Sequence, residues 1–169
     1  TCALPISHDN MSFHEPAIEV LDEHEIISVM RTHREDIPKH NGINYHQVIL
    51  RCEDGNFKVK GELQDTGIGF RGRPQLLKTS DGILILTAPG GLLAFSGNRG
   101  NTYEIDMLTL QGIAPVLYLG EKPFRHIADP QLLQLDDGSI FCSYFVGSDY
   151  PFPAPVDEYI GVSRFRVTR

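Results

Sequence analysis

The sequence repeats one pattern three times. Each copy contains a polar residue, a proline, an apolar segment, an acidic turn and a second apolar segment, and the prolines are Pro16, Pro74 and Pro130, 58 and 56 residues apart. A repeat of this length predicts one supersecondary unit per copy, and such units bury their apolar faces by stacking on one another. The repeat therefore organises the whole chain.

Each copy opens with a predicted β-hairpin. The turn is Asp22-Glu23-His24 in the first copy and contains Asp-Gly, at 81–82 and 137–138, in the others. Asp-Gly between apolar segments predicts a type I′ turn, because that turn needs the positive φ that glycine tolerates freely. The second segments, ILILTA at 83–88 and SIFCSYF at 139–145, are nearly continuous apolar runs, which predict strands covered on both faces.

Further apolar segments complete each unit. A third strand is predicted in every copy, at 46–52, 92–96 and 158–167, and a fourth in the first two, at 58–63 (KVKGEL) and 114–120 (APVLYLG). Four antiparallel strands in one such repeat are typical of a propeller blade.

We therefore predict an all-β chain that forms part of a β-propeller over residues 1–169. The predicted blades are 13–70, 71–124 and 125–169, the last completed by other strands. Three blades cannot close a ring, and six would need about twice this length. We expect the rest of the ring from an N-terminal part, from another chain or from a second copy of this chain in a homodimer.

Composition excludes several classes of function. The formal charge is −7 with scattered basic residues, so we expect no nucleic-acid partner. No apolar run approaches the roughly 20 residues that span a bilayer, so we expect no membrane insertion. The histidines lack metal-ligand spacing, and we expect neither a metal nor a cofactor. Cys2, Cys52 and Cys142 are interpreted as buried thiols.

The turn after the third strand of the second copy carries a motif. It is Ser96-Gly97-Asn98-Arg99-Gly100-Asn101-Thr102-Tyr103, which resembles the Asp-box, S-x-D-x-G-x-T-W, with Asn for Asp and Tyr for Trp. In such a turn Ser and Asn bond the hairpin backbone, Gly takes positive φ and the aromatic ring packs on neighbouring strands. Residues 52–57, CEDGNF, resemble a shortened copy in the first repeat.

Longer segments extend this resemblance over residues 13–169. HEPAIEVLDEHEIISVMRTH, GRPQLLKTSDGILIL and DPQLLQLDDGSIFCSYFVGSD, with the ending GVSRFRV, look like the second half of sialidases and BNR-repeat glycoside hydrolases. The resemblance implies a sialidase-like propeller, glycan as substrate and hydrolysis of O-glycosyl bonds once the propeller is complete. It also favours a secreted or periplasmic protein, although the sequence itself leaves the compartment open.

The resemblance assigns roles to Glu15 and Arg31. In sialidases a Glu at this place polarises a tyrosine nucleophile, and an Arg about sixteen residues later clamps the sugar carboxylate. A guanidinium group is a natural bidentate partner of a carboxylate. The alternative is that Glu15 and Arg31 form a structural ion pair at the edge of a blade.

Two positions depart from the sialidase pattern. Asp129 occupies the place of the nucleophilic tyrosine, and residues 88–91, APGG, offer no arginine where the family has its third one. A standard sialidase is therefore disfavoured, and the remaining chemistry is a carboxylate pair, Glu15 and Asp129. Their separation would indicate an inverting (about 6.5–9.5 Å) or a retaining (about 5–5.5 Å) mechanism.

Three more residues are predicted to bind substrate. Arg73 and His126 lie near the same strand starts and are candidates to bind sugar hydroxyls or an acidic sugar, while Tyr150, in the loop 147–155, offers a ring for sugar stacking. Arg73 could equally form a rim salt bridge. We thus expect a sialidase-like glycoside hydrolase or, alternatively, a non-catalytic propeller that binds carbohydrate or protein.

Overall fold

The structure is a computed structural model that describes residues 11–34, 43–68, 72–89, 92–105, 117–119, 122–124, 127–146 and 159–168. These residues form β-strands and turns and contain no helix. The predicted all-β fold class is confirmed.

The strands form three main antiparallel sheets. The first sheet contains β1 (Met11–Val20), β2 (Glu25–Arg34), β3 (Ile43–Glu53) and β4 (Asn56–Asp65). The second contains β5 (Gln75–Lys78), β6 (Leu84–Ala88), β7 (Leu92–Ser96) and β8 (Glu104–Ile105). The third contains β11 (Ile127–Gln134), β12 (Ile140–Val146) and β13 (Tyr159–Phe165).

One predicted strand lies elsewhere. The segment 114–120 was expected to complete the second sheet, but that sheet takes the two-residue β8 as its fourth strand. Leu117–Leu119 instead forms β9, which pairs with β10 (Lys122–Phe124) in a separate two-stranded sheet. The apolar character of the segment identified a strand but not its partner, because the turn that precedes or follows a strand decides which strand it pairs with.

The three main sheets pack face to face, as blades of a propeller do. Ile27, Val29 and Tyr45 of the first sheet share one buried cluster with Leu84 and Leu86 of the second. A second cluster joins the opposite face of the second sheet to the third, through the buried residues Ile83, Ile85, Leu93, Ile140, Cys142 and Tyr144. The second sheet is therefore the centre of the stack.

The prediction of strands covered on both faces holds for one of the two segments. All five residues of β6 are buried, because it lies between two sheets. In β12, Ile140, Cys142 and Tyr144 are buried but Phe141 is 36% exposed. The prediction is wrong for β12, since within the described residues this strand is covered on one face.

The Asp-Gly hairpins use a different turn from the one predicted. Gly82 and Gly138 have positive φ, but Asp81 and Asp137 do not, so neither turn is type I′. Gly82 N donates to Thr79 O and Thr79 N donates to Ile83 O. The residues between Thr79 and Ile83 therefore form a loop longer than two residues, in which Gly82 has the positive φ. A true two-residue turn with positive φ at both positions occurs at Asp54-Gly55, between β3 and β4.

The turn at residues 96–103 has the internal bonding expected of its motif. Ser96 Oγ accepts from Gly100 N at 2.8 Å, and Asn98 Oδ1 accepts from Thr102 N at 3.0 Å. Gly100 has φ +87°, and the Tyr103 ring packs against the cluster between the first two sheets. The turn therefore keeps the hydrogen bonds and the aromatic packing of the motif with Asn in place of Asp and Tyr in place of Trp.

This turn also fastens the second sheet to the first. The buried amide of Gln47 donates through Nε2 to Gly100 O at 2.6 Å and accepts through Oε1 from Tyr103 OH at 3.1 Å. Arg99 Nη2 lies 2.8 Å from both Asp22 Oδ2 and Glu25 Oε2. All of these bonds cross from the second sheet to the first.

We expect Gly100→Ala to lower the free energy of unfolding by about 2–4 kcal/mol in urea titrations. Its φ is +87°, and an added Cβ would lie 2.8 Å from Ile27 Cδ1 and 3.2 Å from Gln47 Oε1. Gly82→Ala, with φ +86° in open space, isolates the backbone strain and should cost about 1 kcal/mol. Gly97→Ala, which has neither strain nor clash, should change stability by less than about 0.5 kcal/mol. Equal losses in all three variants would contradict the tight fit around Gly100.

Candidate functional site

The candidate site lies where the first strands of the three repeats start. Strands β1 and β11 both contact β5, so the first strands lie in the order β1, β5, β11. At the same step of each repeat, a charged residue stands directly before a proline. These charged residues are Glu15 within β1, Arg73 just before β5 and Asp129 within β11. The repeat register thus brings three predicted site residues to corresponding positions of neighbouring strands.

Glu15 lies between two arginines. Its Oε2 is 2.9 Å from Arg31 Nε, and its Oε1 is 3.6 Å from Arg73 Nε. Glu15 Oε2 and Arg31 Nε are both shielded from solvent, and they meet at ion-pair distance without hydrogen-bond alignment. The side chains are 30% exposed for Glu15, 27% for Arg31 and 65% for Arg73, so a ligand can still reach the group.

The backbone at Glu15 and Asp129 is strained in the same way. Their φ angles are 50° and 46°, in the left-handed region, and each residue precedes a proline. Each also lies in an irregularity of strand pairing, between His14 and Ala17 or between Ala128 and Gln131. Left-handed non-glycine residues cost about 1–3 kcal/mol and cluster at functional sites. The matched distortion turns both carboxylates out of the regular strand alternation.

Asp129 is an exposed residue of β11, on the far side of β5 from Glu15. Arg73 belongs to the intervening strand start and ion-pairs with Glu15. The structure therefore places Glu15, Arg31 and Arg73 in one cluster and Asp129 at the corresponding place one sheet further on. His126 and Tyr150 lie outside the described residues.

Tyr45 is a neighbour of this cluster that sequence reasoning missed. It is opposite Arg31 in the β2–β3 register, is fully buried and donates from its hydroxyl to Gly72 O at 3.2 Å. Burial raises the pKa of Tyr45 far above its usual value. The charge of Arg31 lowers this pKa and the charge of Glu15 raises it, both by less than burial does. The third strand was predicted to begin at residue 46, one residue too late to include it.

Cavities also lie away from the strand starts. A cavity of about 410 Å³ is lined by the charged residues around the Arg99 contacts, including Lys60. A hydrogen bond from Lys60 is the largest influence lowering the pKa of Glu25. A hydrogen bond from Arg99 is the largest of several that lower the pKa of Asp22 to about 2. These side chains satisfy one another, which indicates a structural network joining the sheets.

Another cavity, of about 710 Å³, is lined by Phe95, Thr102, Glu104, Phe165 and Arg166 among others. Its guanidinium group, Arg166, is already bound to Asp137 at 3.0 Å. Among the described residues that line it, no group of charges is comparable to Glu15 with its two arginines. We therefore place the candidate site at the strand starts, where the charged side chains converge.

The described residues carry few other reactive groups. Cys142 is a buried free thiol whose pKa is raised to about 12 by burial, whereas Cys52 is partly exposed. Within the described ranges no three His, Cys, Asp or Glu side chains are grouped closely enough to hold a metal ion. The same ranges contain no helix long and apolar enough to cross a membrane.

Comparison with known proteins supports the fold. No family model matches the chain, and no curated protein matches it. The chain is similar to a crystal structure of an unknown-function protein from Dyadobacter fermentans DSM 18053, with a TM-score of 0.56 and 13% sequence identity. The match covers 92% of this chain and 52% of that chain, so this chain spans about half the length of the structure it matches.

We expect Asp129→Gly to raise the free energy of unfolding by about 1 kcal/mol. Glycine removes the strain of the left-handed backbone at φ 46°. The free energy gained in this way exceeds the cost of the conformational entropy that glycine adds to the unfolded chain. Asp136→Gly, at an exposed position without positive φ, should instead lower the free energy by about 0.5–1 kcal/mol. Urea titration measures both, and a loss at Asp129 as large as that at Asp136 would refute the strain.

Proposed function

We propose that the chain is part of a sialidase-like glycoside hydrolase that acts on a neutral or uronic sugar of a glycan. The observation that carries the proposal is the correspondence of Glu15 and Asp129, two carboxylates at the same step of the repeat, each before a proline and each with left-handed backbone. Glycoside hydrolysis uses a pair of carboxyl groups. Asp129 in place of the family's tyrosine argues against the standard sialidase reaction.

In this reaction one carboxylic acid gives its proton to the glycosidic oxygen as the bond to the anomeric carbon breaks. The other carboxylate either takes a proton from the attacking water or attacks the anomeric carbon itself. Arg31 and Arg73 hold the Glu15 carboxylate within 2.9 Å and 3.6 Å. The same guanidinium groups have further N–H donors, which suit the hydroxyl or carboxylate groups of a sugar.

A second candidate is a non-catalytic propeller that binds a glycan at the same strand starts. The contact of both Glu15 oxygens with arginines favours it, because a carboxylate held in this way is less free to react. In that case Arg73, with its 65% exposed side chain, would be the main contact for the sugar.

We expect Glu15→Gln and Asp129→Asn each to lower glycan hydrolysis by at least about 100-fold, the usual contribution of an acid or base. The measurement is release of reducing sugar from a panel of neutral and uronic oligosaccharides by the protein with its propeller complete. Asp54→Asn is the matched control: Asp54 also has left-handed backbone, φ 52°, but lies in the β3–β4 turn, so its activity should be unchanged.

The panel separates the two candidates. Hydrolysis that survives both substitutions would reject the roles of Glu15 and Asp129. Glycan binding without hydrolysis by the unsubstituted chain, weakened by Arg73→Ala, would reject the enzyme and support the binding protein. Neither hydrolysis nor binding across the panel would reject both.

A further inference from the structure

Tyr45 joins the first sheet to the connection that leads from β4 to β5. Its backbone N donates to Ile68 O at 2.8 Å, and its backbone O accepts from Thr66 N at 3.0 Å. Its hydroxyl donates to Gly72 O at 3.2 Å, at the other end of the same connection. The described residues at both ends of the connection are therefore bonded to one buried residue of β3.

Gly72 is held on its other side by Pro89. Its φ is +106°, and a Cβ added at this position would overlap the Pro89 ring, so the position requires glycine. Pro89 directly follows β6 of the second sheet. The peptide at Gly72 thus lies between the Tyr45 hydroxyl of the first sheet and the end of a strand of the second. These two contacts fix the place from which the chain enters β5.

Arg73 directly follows this glycine and precedes Pro74, which is buried. The Arg73 side chain is 65% exposed, and its Nε lies 3.6 Å from Glu15 Oε1. An exposed ion pair at this distance holds a long, flexible side chain only weakly. The place of Arg73 beside Glu15 therefore depends on the backbone on either side of Arg73.

The Tyr45 ring itself lies out of reach of a ligand. It is fully buried in the cluster between the first two sheets, together with Ile68 and Leu86. Burial raises the pKa of the hydroxyl far above its usual value, so the hydroxyl keeps the proton that it donates to Gly72 O. Tyr45 can thus act on the candidate site through the backbone at Gly72, without contact with a substrate.

We propose that Tyr45 is a positioning residue of the candidate site: its hydroxyl holds the peptide at Gly72 and so keeps Arg73 where it reaches Glu15 and a bound ligand. Three contacts carry the proposal, from Tyr45 to Gly72, from Gly72 to Pro89 and from Arg73 to Glu15. The identity of the ligand rests on the proposed function, whereas the three contacts lie within the chain and do not.

Nuclear magnetic resonance of the Arg73 Nε–H group in the full chain tests the role without a substrate. Arg73→Lys identifies the signal by removing it. In the unsubstituted chain the signal should have an order parameter typical of an ordered group and should shift in Glu15→Gln. In Tyr45→Phe, which removes the hydroxyl and keeps the ring, the order parameter should fall below about 0.6 and the response to Glu15→Gln should be lost. Tyr144→Phe, whose hydroxyl bonds Ser163 Oγ in the third sheet, is the matched control and should leave the signal unchanged.

Kinetics on a cleaved oligosaccharide, with the propeller complete, provide the second readout. Tyr45→Phe should raise KM about 5-fold, the effect of one lost hydrogen bond, and leave kcat within about twofold. Arg73→Ala should also raise KM, and adding Tyr45→Phe to it should change KM no further, because the residue that Tyr45 positions is then absent. A merely structural effect of Tyr45→Phe would instead multiply with that of Arg73→Ala.

The two readouts separate this role from the proposed function. If no oligosaccharide of the panel is cleaved or bound, the proposed function fails, and the Arg73 signal still decides the role of Tyr45. That role is overturned if the signal in Tyr45→Phe is as ordered and as sensitive to Glu15→Gln as before, or if the KM effects of the two substitutions multiply. Circular dichroism shows whether each variant folds. If Tyr45→Phe does not fold, Gly72→Ala disturbs the same peptide from the Pro89 side and should release the Arg73 signal in the same way.

Discussion

The structure depends on the side-chain amide of Gln47, which is 3% exposed and lies where the first two sheets meet. Its Nε2 donates to Gly100 O and to Gln64 Oε1, and its Oε1 accepts from Tyr103 OH, so every polar atom of a buried group has a partner. Buried amides without partners are costly, and this geometry therefore holds the 96–103 turn in one position on the first sheet. The position of that turn sets how the two sheets stack.

The stacking in turn creates the candidate site. Glu15 lies in β1 and Arg73 lies just before β5, and they reach 3.6 Å because β1 and β5 lie side by side. The left-handed backbone of Glu15 and Asp129 costs free energy locally, and the packing of the surrounding sheets offsets this cost. A glycan-processing role for these residues is our proposal, and it concerns a region where backbone strain and unlike charges converge.

Much of the fold could be predicted from the sequence because its signals are local. Proline spacing and apolar runs located the first strands, and the Ser96 and Asn98 motif located a turn whose bonding is internal. The type of the Asp-Gly turns is a local failure, and two other failures involve distant partners. Leu117–Leu119 pairs outside the second sheet, and Tyr45 contacts the site through the β2–β3 register. The ion pair of Glu15 with Arg31 was foreseen as an alternative, whereas its contact with Arg73 required the sheet order.

A double-mutant cycle between Gln47 and Tyr103 tests the central claim most directly. Gln47→Ala and Tyr103→Phe should show a coupling of about 0.5–1.5 kcal/mol in the free energy of unfolding, since each removes one side of the same buried hydrogen bond. Gln47→Ala with Tyr144→Phe, whose hydroxyl bonds Ser163 in the third sheet, should be additive within about 0.5 kcal/mol. Additive effects of Gln47 and Tyr103 would contradict the account, because the two sheets would then not be joined at this point.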